Sequence, residues 1–109
     1  MRTLKFKVDG QVITQDPSCD FSRLVPGSEK YIKAEFTFSS DWANRVKVAR
    51  FWSVFGREYE PQALAGGTSC LIPAEALKKR IFKVQVMGKD GKSKILTNKV
   101  EVTQSGGRT

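Results

Sequence analysis

The chain has 109 residues, no histidine, and a formal charge of +8 from 19 Lys and Arg against 11 Asp and Glu. That length suits one domain with a single ordinary core. A content of 39% hydrophobic and 28% charged residues is that of a globular chain rather than a disordered one. No stretch approaches the roughly 20 apolar residues of a membrane-spanning helix. Met1-Arg2-Thr3-Leu4-Lys5-Phe6-Lys7 contains no apolar leader segment, so folding in the cytoplasm of the producing cell is expected.

Period-two alternation runs through the chain and predicts strands. Leu4, Phe6 and Val8 alternate with Lys5 and Lys7, Asp9-Gly10 is a hairpin signal, and Val12-Ile13 opens a second strand. Residues 14–30 hold Pro17, Pro26 and Gly27 and read as a long loop with one strand embedded near 21–25. Residues 31–38 are the clearest strand, with Ile32, Ala34, Phe36 and Phe38 on one face. Ser39-Ser40-Asp41-Trp42 is a turn. Val46 and Val48 alternate with Arg45 and Lys47, but the phase breaks at Ala49-Arg50-Phe51-Trp52. Because a one-residue slip reverses the buried face, a β-bulge or strand end is expected near Ala49-Arg50.

Phe55-Gly56 and Gly66-Gly67 mark turns around a short strand at 58–60, and residues 69–72 form another. Pro73-Ala74-Glu75-Ala76-Leu77-Lys78-Lys79 is the one good helix candidate, with Pro in the first turn and charges matched to the helix dipole. Phe82, Val84 and Val86 form a strand, 88–92 a hairpin loop, and Leu96, Val100 and Val102 the last strand. About six to eight short strands with one short helix predict an all-β, antiparallel β-sandwich. The domain is placed at residues 1–104, and Ser105-Gly106-Gly107-Arg108-Thr109 reads as a flexible Gly-rich tail.

Little in the sequence points to catalysis. Without histidine, the commonest general base and metal ligand is missing. Asp16 and Asp20, with Asp9 before them, read as turn carboxylates rather than an acid–base pair. Gly88-Lys89-Asp90-Gly91-Lys92-Ser93 ends in Gly-Lys-Ser but lacks the leading glycine of a phosphate-binding loop. Cys19 and Cys70 show no C-x-x-C spacing, so no metal site or cofactor is expected. Their pairing would need Cα atoms within about 7 Å; free thiols are the favoured reading, with Cys70 buried in Cys70-Leu71-Ile72.

The basic excess admits nucleic acid, an anionic surface or an acidic protein partner. The cations are scattered, densest at Lys78-Lys79-Arg80 and across 89–94, and a solvated basic surface is the plain reading. In Lys5-Phe6-Lys7 the strand period turns Phe6 away from the lysines, so specific nucleic-acid stacking is not expected there. Trp42, Trp52, Phe55 and Tyr59 offer a sugar-stacking platform as one alternative. The favoured reading has Trp42 capping the sandwich and Trp52 at its rim. Arg50, Trp52, Phe55 and Tyr59 are the candidate protein interface, since Trp, Tyr, Phe and Arg favour such surfaces.

Three motifs add a resemblance: Phe-x-Phe-x-x-Asp-Trp at Phe36-Thr37-Phe38-Ser39-Ser40-Asp41-Trp42, Pro-x-Glu-x-Leu from Pro73 to Leu77, and Thr97-Asn98 before the last strand. Together with Phe82-Lys83-Val84-Gln85-Val86-Met87-Gly88, they make residues 4–105 resemble small β-domain virion proteins of tailed phages and prophages of Gram-positive bacteria. The likeness is to the N-terminal domains of upper-baseplate and tail-fibre proteins. It implies a non-enzymatic structural protein, homo-oligomeric and located in the virion, that docks other virion proteins at tail, baseplate or capsid. Two alternatives are a phage-encoded binder that inhibits a host factor or defence system, and a carbohydrate-binding module for cell-wall glycans.

Overall fold

The computed structural model describes residues 1–104; the expected tail at 105–109 lies outside the described residues. Among the described residues, nine strands form two sheets packed as the expected sandwich. The first sheet has the order β2 (Val12–Gln15), β1 (Arg2–Asp9), β3 (Ile32–Phe38), β6 (Ser69–Leu71). The second has β5 (Gln62–Ala63), β4 (Val46–Ser53) and β7 (Ile81–Lys89). The far edge of β7 is shared by β8 (Lys94–Leu96) and β9 (Val100–Thr103). A single 3-10 turn (Ser40–Trp42) and a single helical turn, α1 (Ala74–Leu77), complete the described chain.

One pairing is parallel where an antiparallel sandwich was expected: β1 and β3 run side by side from Arg2↔Ile32 to Val8↔Phe38. The loop between β2 and β3 is the cause. β2 covers only Phe6 to Asp9 of β1, and the chain then continues down the uncovered half of that edge. Asp16 N–H donates to Lys5 O at 3.0 Å, and Lys5 N–H donates to Cys19 Sγ at 3.3 Å. The Arg2 guanidinium collects the carbonyls of Asp20, Ser22 and Arg23 at 2.9, 2.6 and 3.1 Å. The segment expected as a strand at 21–25 is therefore not one. Its backbone is held by an arginine, while Phe21 packs edge-on against Phe6 at 5.5 Å and Leu24 is buried. Having reached the base of β1, the chain turns and starts β3 in the same direction. The loop also blunts an otherwise open sheet edge.

The predicted bulge at Ala49-Arg50 is absent. β4 stays in register with β7 from Val46↔Lys89 to Ser53↔Phe82. Its inward set is Ala49, Phe51 and Ser53, so Val46 and Val48 lie on the outer face, with Val46 71% exposed. Lys47 takes the inward phase at the mouth of the sandwich, its ammonium 5.3 Å above the Phe38 ring. The strand period never broke: the two valines lie outside and a lysine stem stands at the inner end.

Two other strands differ from expectation. Residues 58–60 make only a bridge, Trp52↔Glu58. The single last strand is two, because Thr97-Asn98 leaves the sheet between them. Thr97 Oγ1 accepts the Val86 N–H at 3.1 Å, and Gln85 Nε2 donates to Thr97 O at 2.9 Å. Asn98 Oδ1 accepts the Ile13 N–H at 2.8 Å, while its own N–H donates to Gln11 O at 3.2 Å. Asn98 thus ties the β2 edge of one sheet to the other sheet. On the opposite side, Ala65 and Ser69 bridge across the Gly66-Gly67 turn and join β5 to β6.

The core is the inward set of both sheets, including Leu4, Phe6, Phe36, Phe51, Phe82 and Val84, all at most 2% exposed. A line of rings runs along it from Phe21 through Phe6, Phe36 and Phe38 to Trp42, with successive centroids 5.2 to 6.0 Å apart. Trp42 is fully buried, and its Nε1–H donates to Gly10 O at 2.8 Å. It caps the sandwich, as read from the sequence. A Cβ on Gly88 would lie 2.7 Å from Cε3 and Cζ3 of the indole, so only glycine fits beneath it. Gly88→Ala is expected to destabilise the protein by about 1–3 kcal/mol through overpacking. Urea unfolding followed by tryptophan fluorescence measures this; an unchanged midpoint would show that the indole yields freely.

Candidate functional site

The four candidate interface residues do not form one surface. Arg50 and Trp52 stand on the outer face of β4. Tyr59 is buried, and Phe55 projects from the turn after β4 with 95% of its surface exposed. Trp42 is capped away at the opposite end of β4, so the four large aromatics form no common platform.

Arg50 forms a two-pronged pair with Glu58, Nε to Oε2 at 2.7 Å and Nη2 to Oε1 at 2.8 Å. These hydrogen bonds hold the Glu58 carboxyl below its ordinary range and strengthen the guanidinium's grip on its proton. The Arg50 guanidinium carbon lies 5.0 Å from the Trp52 ring centroid, and the Lys99 ammonium lies 3.6 Å from it. The indole is therefore engaged by its own protein's cations. Among the described residues, its Nε1–H is enclosed without a partner.

Phe55 and Tyr59 border a concavity of about 760 Å³ between the β4 turn and the start of β7. The register explains the placement. Ser53 faces Phe82, so the residues just after Ser53 run beside those just before Phe82. Those are Lys78-Lys79-Arg80, the densest basic run of the sequence, and all three are exposed. Arg57 completes the rim, its guanidinium 5.9 Å from the Tyr59 ring centroid and 3.7 Å from the Glu75 carboxylate.

Both walls are held firmly. The half-turn around Phe55 is wound on Ser53, whose buried Oγ accepts the N–H groups of Phe55 at 3.2 Å and Arg57 at 3.0 Å. Ser53 N–H donates to Arg57 O at 2.8 Å, and Gly56 supplies the left-handed backbone at φ 90°. Opposite, Gln104 is 1% exposed and caps the helical turn: its Nε2 donates to Leu77 O at 2.9 Å and to Lys79 O at 2.7 Å. Its backbone N–H donates to Arg80 O at 2.6 Å. The aromatic tip and the basic tripeptide thus stand on fixed backbone. Sequence reading named Phe55, Tyr59 and the basic run, but not Arg57, Ser53 or Gln104. Ser53 before an aromatic-Gly turn was the available signal; Gln104 offered none.

The remaining polar candidates have local partners. Asp16 and Asp20 each accept both the N–H and the hydroxyl of the serine two residues on, Ser18 and Ser22, at 2.6 to 2.9 Å. For Asp16 the backbone bond chiefly lowers the carboxyl's pKa, and for Asp20 the hydroxyl bond does. Asp90 likewise accepts the N–H groups of Lys92 and Ser93, both at 2.9 Å, which lowers its carboxyl too. Among the described residues, no group of three or more Cys, Asp and Glu side chains is placed to hold a metal ion. Both cysteines are free. Burial pushes the Cys70 thiol up to about 12. No family model, curated protein or solved structure matches the chain.

Two expectations follow from these charges. Glu58 has a lowered carboxyl pKa in the folded state, so its pair with Arg50 adds stability above the unfolded carboxylate range. That contribution disappears as pH falls through the folded value. Glu58→Gln is expected to cost about 0.5–1 kcal/mol at neutral pH and nothing in strong acid, as measured by urea unfolding across the acid range. In a Cys19→Ser background, iodoacetamide should label Cys70 slowly in native buffer and rapidly in denaturant. Cys70 is half-buried against the core rather than within it, and rapid native labelling would mean that this packing does not shield the thiol.

Proposed function

We propose that this chain is a non-catalytic docking module, a virion component of a tailed phage that joins other virion proteins through the Phe55 end of its sandwich. The observation that supports this most is the Phe55 ring, 95% exposed on a turn whose N–H groups are locked to the buried Ser53 hydroxyl. A large aromatic side chain on rigid backbone loses little entropy on binding and is the usual anchor of a protein interface. The phage assignment rests on the resemblance carried by the Phe-x-Phe-x-x-Asp-Trp, Pro-x-Glu-x-Leu and Thr-Asn motifs. The outer flank of β4 serves that role less well, because Arg50 and Lys99 already engage Trp52 and Glu58 occupies Arg50.

The test is mass spectrometry of purified particles from cells that produce the chain, comparing wild type with Phe55→Ala. Wild type is expected in the particles, and the variant should be depleted about tenfold or more while melting at an unchanged temperature. Absence of the wild-type chain from particles, with a host protein captured instead, would replace this reading with that of a free inhibitor of a host factor.

A further inference from the structure

We infer that the concavity beside Phe55 takes an extended acidic protein segment carrying one apolar anchor side chain. This names the partner chemistry of the docking role proposed above and rests on it.

Charge complementarity selects the occupant. Four cations, Arg57, Lys78, Lys79 and Arg80, line the concavity against one carboxylate, Glu75. That carboxylate already lies 3.7 Å from Arg57, so the excess is cationic and unmatched. The same lining carries apolar surface from Val54, Phe55, Tyr59 and Ile81. At about 760 Å³ the space falls within the size range of ligand clefts. An anion alone would leave this apolar lining wet. An apolar ligand alone would make no use of the four cations at the rim. A peptide with acidic residues around a Phe, Leu or Trp satisfies both.

Single-stranded nucleic acid fits less well. Such sites stack successive bases on successive rings along a basic groove, and only one ring here is free. Tyr59 is buried with Arg57 beside it, and Trp52 is occupied by Lys99. One free ring suits one anchor side chain. Contact of this face with the same face of a second copy would set like charges against each other. The site is also preorganised: Ser53 fixes one wall and Gln104 the other, so binding need not order a loop.

The experiment is fluorescence anisotropy on the full chain with three labelled probes. They are a short Asp/Glu-rich peptide with a single Phe, the same peptide with Ser in place of Phe, and an oligothymidylate of equal charge. Expected results are binding of the first probe that weakens with added salt, and at least about tenfold weaker binding of the other two. Phe55→Ala should weaken the first probe by a similar factor. Lys79→Glu/Arg80→Glu should weaken it at least as much and flatten its salt dependence. Melting curves check that both variants fold, as the exposure of all three side chains predicts. Equal binding of the Phe and Ser peptides, tighter binding of the oligothymidylate, or indifference to Phe55→Ala would each overturn the inference. So would no binding of the first probe. If the peptides fail while particle incorporation still depends on Phe55, the acidic-segment inference falls and the docking role stands. If incorporation also fails, both fall.

Discussion

Trp42 sits where three separate parts of the chain must meet. Its indole N–H reaches the Gly10 carbonyl in the first hairpin, its ring lies under Gly88 on β7, and its backbone belongs to the turn that leaves β3. It therefore clamps the two sheets at one end and terminates the row of stacked rings that begins with Phe21. The contact admits little substitution. Gly88 has no room for a methyl group, and loss of the indole would leave the half-buried Gly10 carbonyl without its donor. From this clamped end the β4–β7 register runs unbroken to Ser53↔Phe82 at the other end.

The two ends of the molecule are consequently different in kind. At the Trp42 end, backbone, indole and glycine close the structure. At the Ser53 end the two sheets hold a short turn and a helical turn apart, and polar groups do the closing. Ser53 and Gln104 are both buried, and their hydrogen bonds go to backbone. Buried polar groups of this sort fix geometry more than they add net stability, since each exchanges water for protein partners. What they fix is the position of an exposed aromatic ring and a basic tripeptide.

Much of the fold was legible in the sequence, because alternation survives wherever one sheet face is wet. Leu4, Phe6, Val8 on β1 and Phe82, Val84, Val86 on β7 all face the core as their spacing predicts. The failures share a cause: side chains whose role is set by a distant partner. Lys47 looked like a surface residue and takes the inward phase, because Phe38 offers it a ring. Residues 21–25 looked like a strand, yet their carbonyls belong to Arg2. Thr97-Asn98 splits a strand because Asn98 serves Ile13. The site was legible only in pieces. Phe55 and Lys78-Lys79-Arg80 were each visible, but they lie more than twenty residues apart and meet only through the β4–β7 register. Arg50 and Trp52, within five positions of Phe55 in sequence, belong to a different face because the strand period separates them from the turn.

The exposure of Phe55 forgoes burial. Burying such a ring would be worth roughly 1.5–3 kcal/mol, and an apolar concavity lies directly beside it. Ser53 holds the N–H groups on both sides of Gly56 and so fixes the backbone from which the ring projects. The same local stability could be had with a polar residue at the tip and no forgone burial. The combination of a locked turn, an outward aromatic and a cationic rim is what the proposed docking role would use. Under that proposal the cationic rim disfavours a like-charged face of a second copy and favours a partner that brings its own negative charge.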